Sequence, residues 1–179
     1  TGDQLAGLCI LWLYGRIAPF YASLLPDSLI ALIDLAFLPL LAYHVTKPIL
    51  AAQQYRNLIF TALLLFLAYG NGLIHSEMLG LKAHTAMVGL QLVVGTIVIL
   101  ILVIAGRVFP FFTERGLPGT LAIRNPQFDQ GSVVSAVLVF GLLLFDVSGI
   151  WLALPALLAT VINIARVAGW YVQRIWYVP

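Results

Sequence analysis

The chain has 179 residues, of which 62% are hydrophobic and 9% are charged, with a formal net charge of +2. Because a soluble domain carries about 25% charged residues, this composition excludes an ordinary soluble protein and indicates one that crosses a membrane several times. The small net charge and scattered basic residues exclude nucleic acid as a partner. The single cysteine, Cys9, excludes a disulfide within the chain.

Six apolar segments predict an all-α, polytopic transmembrane helical bundle that forms a single membrane domain over residues 1–179. The most apolar segment has no charge between Ala86 and Gly106, and a bilayer needs about 20 such residues to be crossed. The predicted helices cover residues 5–25, 29–45, 58–79, 85–112, 133–147 and 150–171. Residues 46–57 and 113–132 are richer in polar, glycine and proline residues and are predicted to be loops.

The basic residues predict how the chain is inserted. Six alternating helices would place the loops 46–57 and 113–132 on the same side as both chain ends. That side carries Lys47, Arg56, Arg115, Arg124 and Arg174, whereas the other side carries Lys82. Because basic loops stay in the cytoplasm, both loops are predicted to be cytoplasmic. The chain begins without methionine and ends without a polar tail, so we expect it to be part of a longer protein.

Two short strings of the sequence resemble each other. Gly15-Arg16-Ile17-Ala18-Pro19-Phe20 resembles Gly106-Arg107-Val108-Phe109-Pro110-Phe111. The copies lie in the first and the fourth predicted helices, an offset of three, so they would run in opposite directions, as in inverted repeats. The alternative is coincidence, because Gly, Pro and Phe are common in such chains.

His75 is the clearest candidate for chemistry, because it lies in or near the end of an apolar helix. A neutral imidazole can ligate haem iron or copper. Asn71 lies four residues earlier on the same helix face, where its amide could orient the imidazole or donate to a bound ligand. The alternative is that His75 lies at the outer interface of the membrane, as we expect for His44 and His84.

Placing a charged residue inside a membrane costs free energy, so the charged residues of the apolar segments are candidates for function. Asp34 and Arg16 lie on neighbouring predicted helices and could pair. Asp146 and Arg166 could pair in the same way. Such pairs would lock helix packing, or form part of a proton path. Arg107 could snorkel to the interface or bind a haem propionate.

Several strings, taken together, resemble the NnrS family. The most specific runs from Gly106 to Thr113 and reads Gly-Arg-Val-Phe-Pro-Phe-Phe-Thr at the end of a predicted helix. The others are Leu11-Trp12-Leu13-Tyr14-Gly15-Arg16, Asp34-Leu35-Ala36-Phe37-Leu38-Pro39-Leu40, Arg56-Asn57-Leu58, Asn71-Gly72-Leu73-Ile74-His75 and Gly169-Trp170.

The resemblance implies a bacterial inner-membrane protein of about twelve helices, of which this chain is the central segment. It implies haem and copper as cofactors and a role in denitrification and in the response to nitric oxide and nitrosative stress. His75 is the implied metal ligand, and Arg16, Asn71 and Arg107 are implied cofactor-binding or packing residues. The implied partners are the lipid bilayer, the remaining helices of the same protein, and nitric oxide or a related small molecule. Turnover of a substrate and simple binding are both left open.

Two other interpretations compete with this one. A transporter or channel could carry a polar path through Arg16, Asp34, Asn71 and Asp146, and would bind no chromophore. A purely structural membrane module would use its charges for packing and would tolerate the loss of His75.

Overall fold

The computed structural model describes residues 2–21, 23–117 and 119–171, and in these ranges every regular secondary-structure element is a helix. This confirms the prediction of an all-α protein with six helices. The helices are α1 (Gly2–Ile17), α2 (Asp27–Ala51), α3 (Leu58–Met78), α4 (Ala86–Gly116), α5 (Pro126–Leu144) and α6 (Ile150–Trp170). Two short 3-10 helices, Ala18–Tyr21 and Tyr55–Asn57, precede α2 and α3.

Five of these helices, α2 to α6, are long and apolar enough to cross a membrane. α1 has 16 residues, fewer than the roughly 20 that a bilayer requires. Many large apolar side chains on the spanning helices are exposed, such as Leu32, Phe66 and Ile101. These surfaces suit a hydrocarbon environment, so the architecture is that of a multi-pass membrane protein.

The first two predicted helices have the wrong carboxyl ends. The predicted helix 5–25 is too long, because α1 ends at Ile17 and the next turn is a 3-10 helix containing Pro19, which lacks a donor for an α-helical bond. The predicted helix 29–45 is too short, because α2 continues to Ala51 through Pro48. Its polar residues bond to the helix itself, as when Thr46 Oγ1 donates to the Ala42 carbonyl at 2.6 Å.

The predicted loop 113–132 is wrong at both ends. α4 continues to Gly116, and α5 begins at Pro126 and ends at Leu144 rather than covering 133–147. Asn125 caps α5, since its Oδ1 accepts a hydrogen bond from the Gln127 amide at 2.9 Å, and Pro126 suits the first helical position. The predicted helices 58–79, 85–112 and 150–171 begin within one residue of α3, α4 and α6.

The chain divides into two compact units, residues 1–96 and 97–179, with the division inside α4. In the first unit, α2 packs against both α1 and α3. α3 and the start of α4 approach closely at two glycines, because a Cβ added at Gly89 would lie 2.5 Å from the Gly70 carbonyl oxygen. Glu77 Oε2 accepts a hydrogen bond from the Ala86 amide at 2.6 Å, which caps the first turn of α4.

The second unit contains the rest of α4 together with α5 and α6. α5 and α6 pack against each other. They are joined by a tight turn in which Asp146 and Gly149 have positive φ angles of 54° and 67°. The single membrane domain expected over residues 1–179 stays a prediction.

Candidate metal site around His75

His75 on α3 lies against Asp34 on α2. His75 Nε2 is 3.0 Å from Asp34 Oδ2. Asn71, one helical turn before His75, donates from its side-chain nitrogen to the same Asp34 oxygen at 2.7 Å. We call these three residues the His75 cluster. The structure therefore brings together two of the predicted site residues, His75 and Asn71, through an aspartate that links α2 to α3.

The His75 cluster is partly shielded. The His75 side chain is 13% exposed and the Asp34 side chain 36% exposed. Gly15 on α1 is buried beside it, and a Cβ added at Gly15 would lie 3.6 Å from Asp34 Oδ1. Because an ionisable group inside a membrane is costly when it is unpaired, the contacts with Asn71 and His75 explain how α2 can carry Asp34.

The predicted pair between Arg16 and Asp34 is wrong. The Arg16 guanidinium lies over the Trp12 ring, 5.9 Å from its centroid, and Arg16 is exposed. Successive residues of an α-helix point about 100° apart. Because Gly15 faces Asp34, Arg16 points elsewhere, and the side chains that contact the Asp34 carboxylate are those of His75 and Asn71.

The other two histidines have different surroundings. The Nδ1 atom of His44 is 2.8 Å from the Leu40 carbonyl, and the ring packs edge-on against Tyr43. His84 lies in the turn before α4 with a φ of 61°. Within residues 2–21, 23–117 and 119–171, no three His, Cys, Asp or Glu side chains are close enough together to hold a metal ion by themselves.

A second polar cluster surrounds Arg166 on α6. Its side chain is 4% exposed, and its Nε donates to Asp129 Oδ1 on α5 at 2.6 Å. Its other nitrogens donate to Ser132 Oγ at 3.0 Å and to the Leu102 carbonyl of α4 at 2.9 Å. Ser132 in turn donates to Asn163 Oδ1 at 2.7 Å. The Arg166 cluster therefore ties α4, α5 and α6 together.

The predicted pair between Arg166 and Asp146 is also wrong. Asp146 lies in the turn before α6, whereas Arg166 lies near the other end of α6. At 1.5 Å per residue, Arg166 is about 24 Å along the helix axis from Ile150, the first residue of α6. The actual partner, Asp129, was missed because it fell in a predicted loop. Two local signals could have found it: the Asn125-Pro126 helix start, and the spacing of three residues between Asp129 and Ser132.

Gly106 leaves room for the buried Arg166 side chain because it has no Cβ. It belongs to the most specific string of the family resemblance. A Cβ added at Gly106 would overlap Arg166 Nη2 and lie 2.9 Å from Asp129 Oδ1. Both glycines of the suspected repeat, Gly15 and Gly106, thus lie against an aspartate of the next helix. Arg107 follows Gly106 and is exposed on α4, and its predicted role towards a cofactor stays a prediction.

The five apolar spans and the polar clusters set into them define a multi-pass helical membrane protein. The family model described as NnrS protein matches residues 1–179. The chain therefore belongs to the NnrS family, as its motifs predicted. No curated protein and no solved structure matches the chain.

Proposed function

We propose that this protein is a haem- and copper-containing protein of the bacterial inner membrane that binds nitric oxide or a related nitrogen species and helps the cell to tolerate it. Membership of the NnrS family, which is linked to haem and copper, supports the cofactors and the substrate class. The observation that carries the proposal is the Asp34–His75 contact. Histidines that ligate metals usually bond a carboxylate through their other ring nitrogen.

The His75 cluster can supply one ligand to a metal. The cluster supplies one imidazole, a carboxylate that orients it, and the Asn71 amide that holds the carboxylate. Haem takes one or two axial ligands, so the remaining ligands would come from other helices of the same protein. A bound haem or copper would supply an open coordination position for a small nitrogen oxide.

The other predicted residues have supporting roles in this proposal. Asn71 donates to Asp34 and so acts through the carboxylate. Arg16 and Arg107 are exposed cations at helix positions where they could bind haem propionates. The mostly apolar α3 around His75 would keep bulk water from the metal.

We further propose that the connections after α2 and after α4 face the cytoplasm, within the predicted loops 46–57 and 113–132. The basic residues Lys47, Arg56, Arg115 and Arg124 lie in or beside these connections, and positively charged loops are retained on that side. The transporter alternative stays a prediction. The cavity of about 830 Å³ between α4, α5 and α6 is lined mainly by apolar side chains such as Val98, Phe140 and Val167, which does not favour a polar path.

The proposal is tested by the absorption spectrum and metal content of the protein purified in detergent from cells grown with ample haem and copper. We expect a Soret band that shifts on reduction and on addition of nitric oxide, and measurable copper. The His75→Ala variant should lose one of the two metals, whereas the control His44→Ala should keep both. A colourless, metal-free protein, or a His75→Ala variant with unchanged metal content, would overturn the proposal.

A further inference from the structure

The apolar cavity between α4, α5 and α6 lies within the second compact unit, between helices that are long and apolar enough to cross a membrane. Its volume of about 830 Å³ is in the range of about 300–1,000 Å³ that is usual for small-ligand sites. Ile164 and Val167 line the cavity and are 64% and 54% exposed. The cavity is therefore open along α6, where a ligand would enter from the hydrocarbon of the membrane.

Asn163 on α6 brings an unused hydrogen-bond donor to the wall of this cavity. Arg166 can only donate, so Ser132 Oγ accepts from it at 3.0 Å and donates its own hydrogen to Asn163 Oδ1 at 2.7 Å. The side-chain nitrogen of Asn163 donates one hydrogen to the Ala159 carbonyl at 2.8 Å. An amide nitrogen carries two hydrogens, and the second has no partner among the residues that the structure describes.

Thr160 adds a hydrogen-bond acceptor to the same wall. Its Oγ1 donates to the Ala156 carbonyl at 2.9 Å, which leaves the lone pairs of the hydroxyl available to a ligand. Because residues three apart are neighbours on a helix, Thr160 and Asn163 form a neutral polar pair in a mainly apolar wall. Phe140 of α5 lines the cavity as well and provides a ring against which an aromatic ligand can pack.

The depth of this polar pair restricts the kind of ligand. Asn163 lies seven residues before Trp170, the last residue of α6, which is about 10 Å along the helix. The hydrocarbon core of a bilayer is about 30 Å thick and the headgroups lie outside it, so the pair is too deep for a phospholipid headgroup. Among the described residues no charged side chain lines the cavity, and an unpaired charge is costly there. The ligand is therefore neutral.

From these observations we infer that the cavity binds a neutral, lipid-soluble ligand whose ring carries carbonyl or hydroxyl oxygens, that is, a quinone or a quinol. A quinone oxygen accepts the free hydrogen of Asn163, and a quinol hydroxyl donates to Thr160 Oγ1. The apolar tail lies along the rest of the wall. A further transmembrane helix fits less well, because one of about 10 Å diameter and 30 Å length occupies about 2,400 Å³. The site uses neither of the proposed metals, so its test is independent of the proposed function.

The first test measures thermal unfolding of the intact protein in detergent with decylubiquinone or with decylbenzene, whose ring has no oxygen. A ligand that binds the folded state raises the unfolding midpoint, so decylubiquinone should raise it and decylbenzene should raise it much less. Ala159→Phe fills the cavity one turn from Asn163 and should remove the decylubiquinone shift. The control Ala153→Phe, at an exposed position of α6 outside the cavity wall, should keep it.

Three results of this experiment would overturn the inference. The first is the absence of a shift with decylubiquinone. The second is an equal shift with decylbenzene, as expected for a groove that holds only hydrocarbon such as a lipid chain. The third is a decylubiquinone shift that persists in Ala159→Phe, which would place the binding site elsewhere.

The second test addresses the polar pair without disturbing the Arg166 cluster. Thr160→Val keeps the shape of the side chain and removes the acceptor. It should weaken the binding of the reduced form, decylubiquinol, about 2- to 10-fold, as expected for one hydrogen bond, and leave the binding of decylubiquinone unchanged. Affinities follow from the dependence of the unfolding midpoint on additive concentration. Equal binding of decylubiquinol by Thr160→Val and the wild type would overturn the assignment of the ring to this pair.

The third test needs no substitution. An azido derivative of the quinone is cross-linked to the wild-type protein by light, and the labelled peptides are identified. We expect labels in α5 and α6, on the peptides that contain Phe140 and Asn163, and excess decylubiquinone should suppress them. Labelling confined to α1, α2 and α3 would overturn the inference.

Discussion

Asp34 shows how a single residue acquires its partners from helices that are distant in sequence. The sequence could predict that Asn71 and His75 share a helix face, because residues four apart are neighbours on any α-helix. It could not choose between Arg16 and His75 as the partner of Asp34, since that choice depends on which face α1 turns towards α2. Gly15 faces Asp34, and this packing excludes Arg16.

Gly106 has no room for a larger side chain. The Gly106→Ala variant would place a methyl group against Arg166 Nη2. The guanidinium is buried and held by three hydrogen bonds, so it has little freedom to move. We expect the free energy of unfolding to fall by about 1–3 kcal/mol, as in other overpacked sites. The midpoint of thermal unfolding in detergent measures this change.

Gly141 on α5 provides the matched control for Gly106. A Cβ added at Gly141 meets nothing within 4 Å, and alanine is favoured over glycine in a helix by roughly 0.5–1 kcal/mol. The Gly141→Ala variant should therefore unfold at the wild-type temperature or above it. If Gly106→Ala behaved in the same way as Gly141→Ala, the close packing of Gly106 against Arg166 would be wrong.

At the scale of the elements, the existence of the helices was predictable and several of their ends were not. Long apolar segments identify the spans, because a bilayer permits few alternatives to a helix. The start of α5 was missed because glycine, proline and polar residues between 113 and 132 favoured a loop. Within that stretch Asn125 and Pro126 begin a helix, and the error hid Asp129 and Ser132 from the sequence analysis.

The cap of α5 can be tested directly. The Asn125→Ala variant removes the acceptor for the Gln127 amide and should lower the free energy of unfolding by about 0.5–2 kcal/mol. The Asn125→Asp variant keeps an acceptor at the same position and should stay close to the wild type. Thermal unfolding of the three proteins under one set of conditions gives the comparison. Equal stability of Asn125→Ala and the wild type would show that the cap contributes nothing.

At the scale of the whole molecule, the proposed orientation predicts which connections a reagent in the medium can reach. Single cysteines are introduced into a Cys9→Ser background at exposed positions, Ala52 and Leu121 on the proposed cytoplasmic side and Lys82 and Phe145 on the other. In intact spheroplasts, a thiol reagent that does not cross membranes should label Lys82→Cys and Phe145→Cys only. Permeabilised cells should show labelling at all four positions.

The reverse pattern in this labelling experiment would contradict the orientation that the basic residues predict. Labelling of Ala52→Cys together with Lys82→Cys in intact spheroplasts would contradict a transmembrane α3. The same result for Leu121→Cys and Phe145→Cys would exclude a transmembrane α5. Each comparison stays within one of the two compact units, so each tests a span independently.

The contact that each glycine of the repeated string makes with an aspartate has a consequence for the origin of the chain. In the first unit Gly15, Asp34 and His75 lie on three successive helices, and in the second Gly106, Asp129 and Arg166 do the same. The inverted-repeat interpretation of the two strings stays a prediction, and under it one ancestral three-helix segment would have been duplicated to give this order. In that interpretation His75 and Arg166 would descend from one basic position, and the proposed function would make the first of them alone a metal ligand.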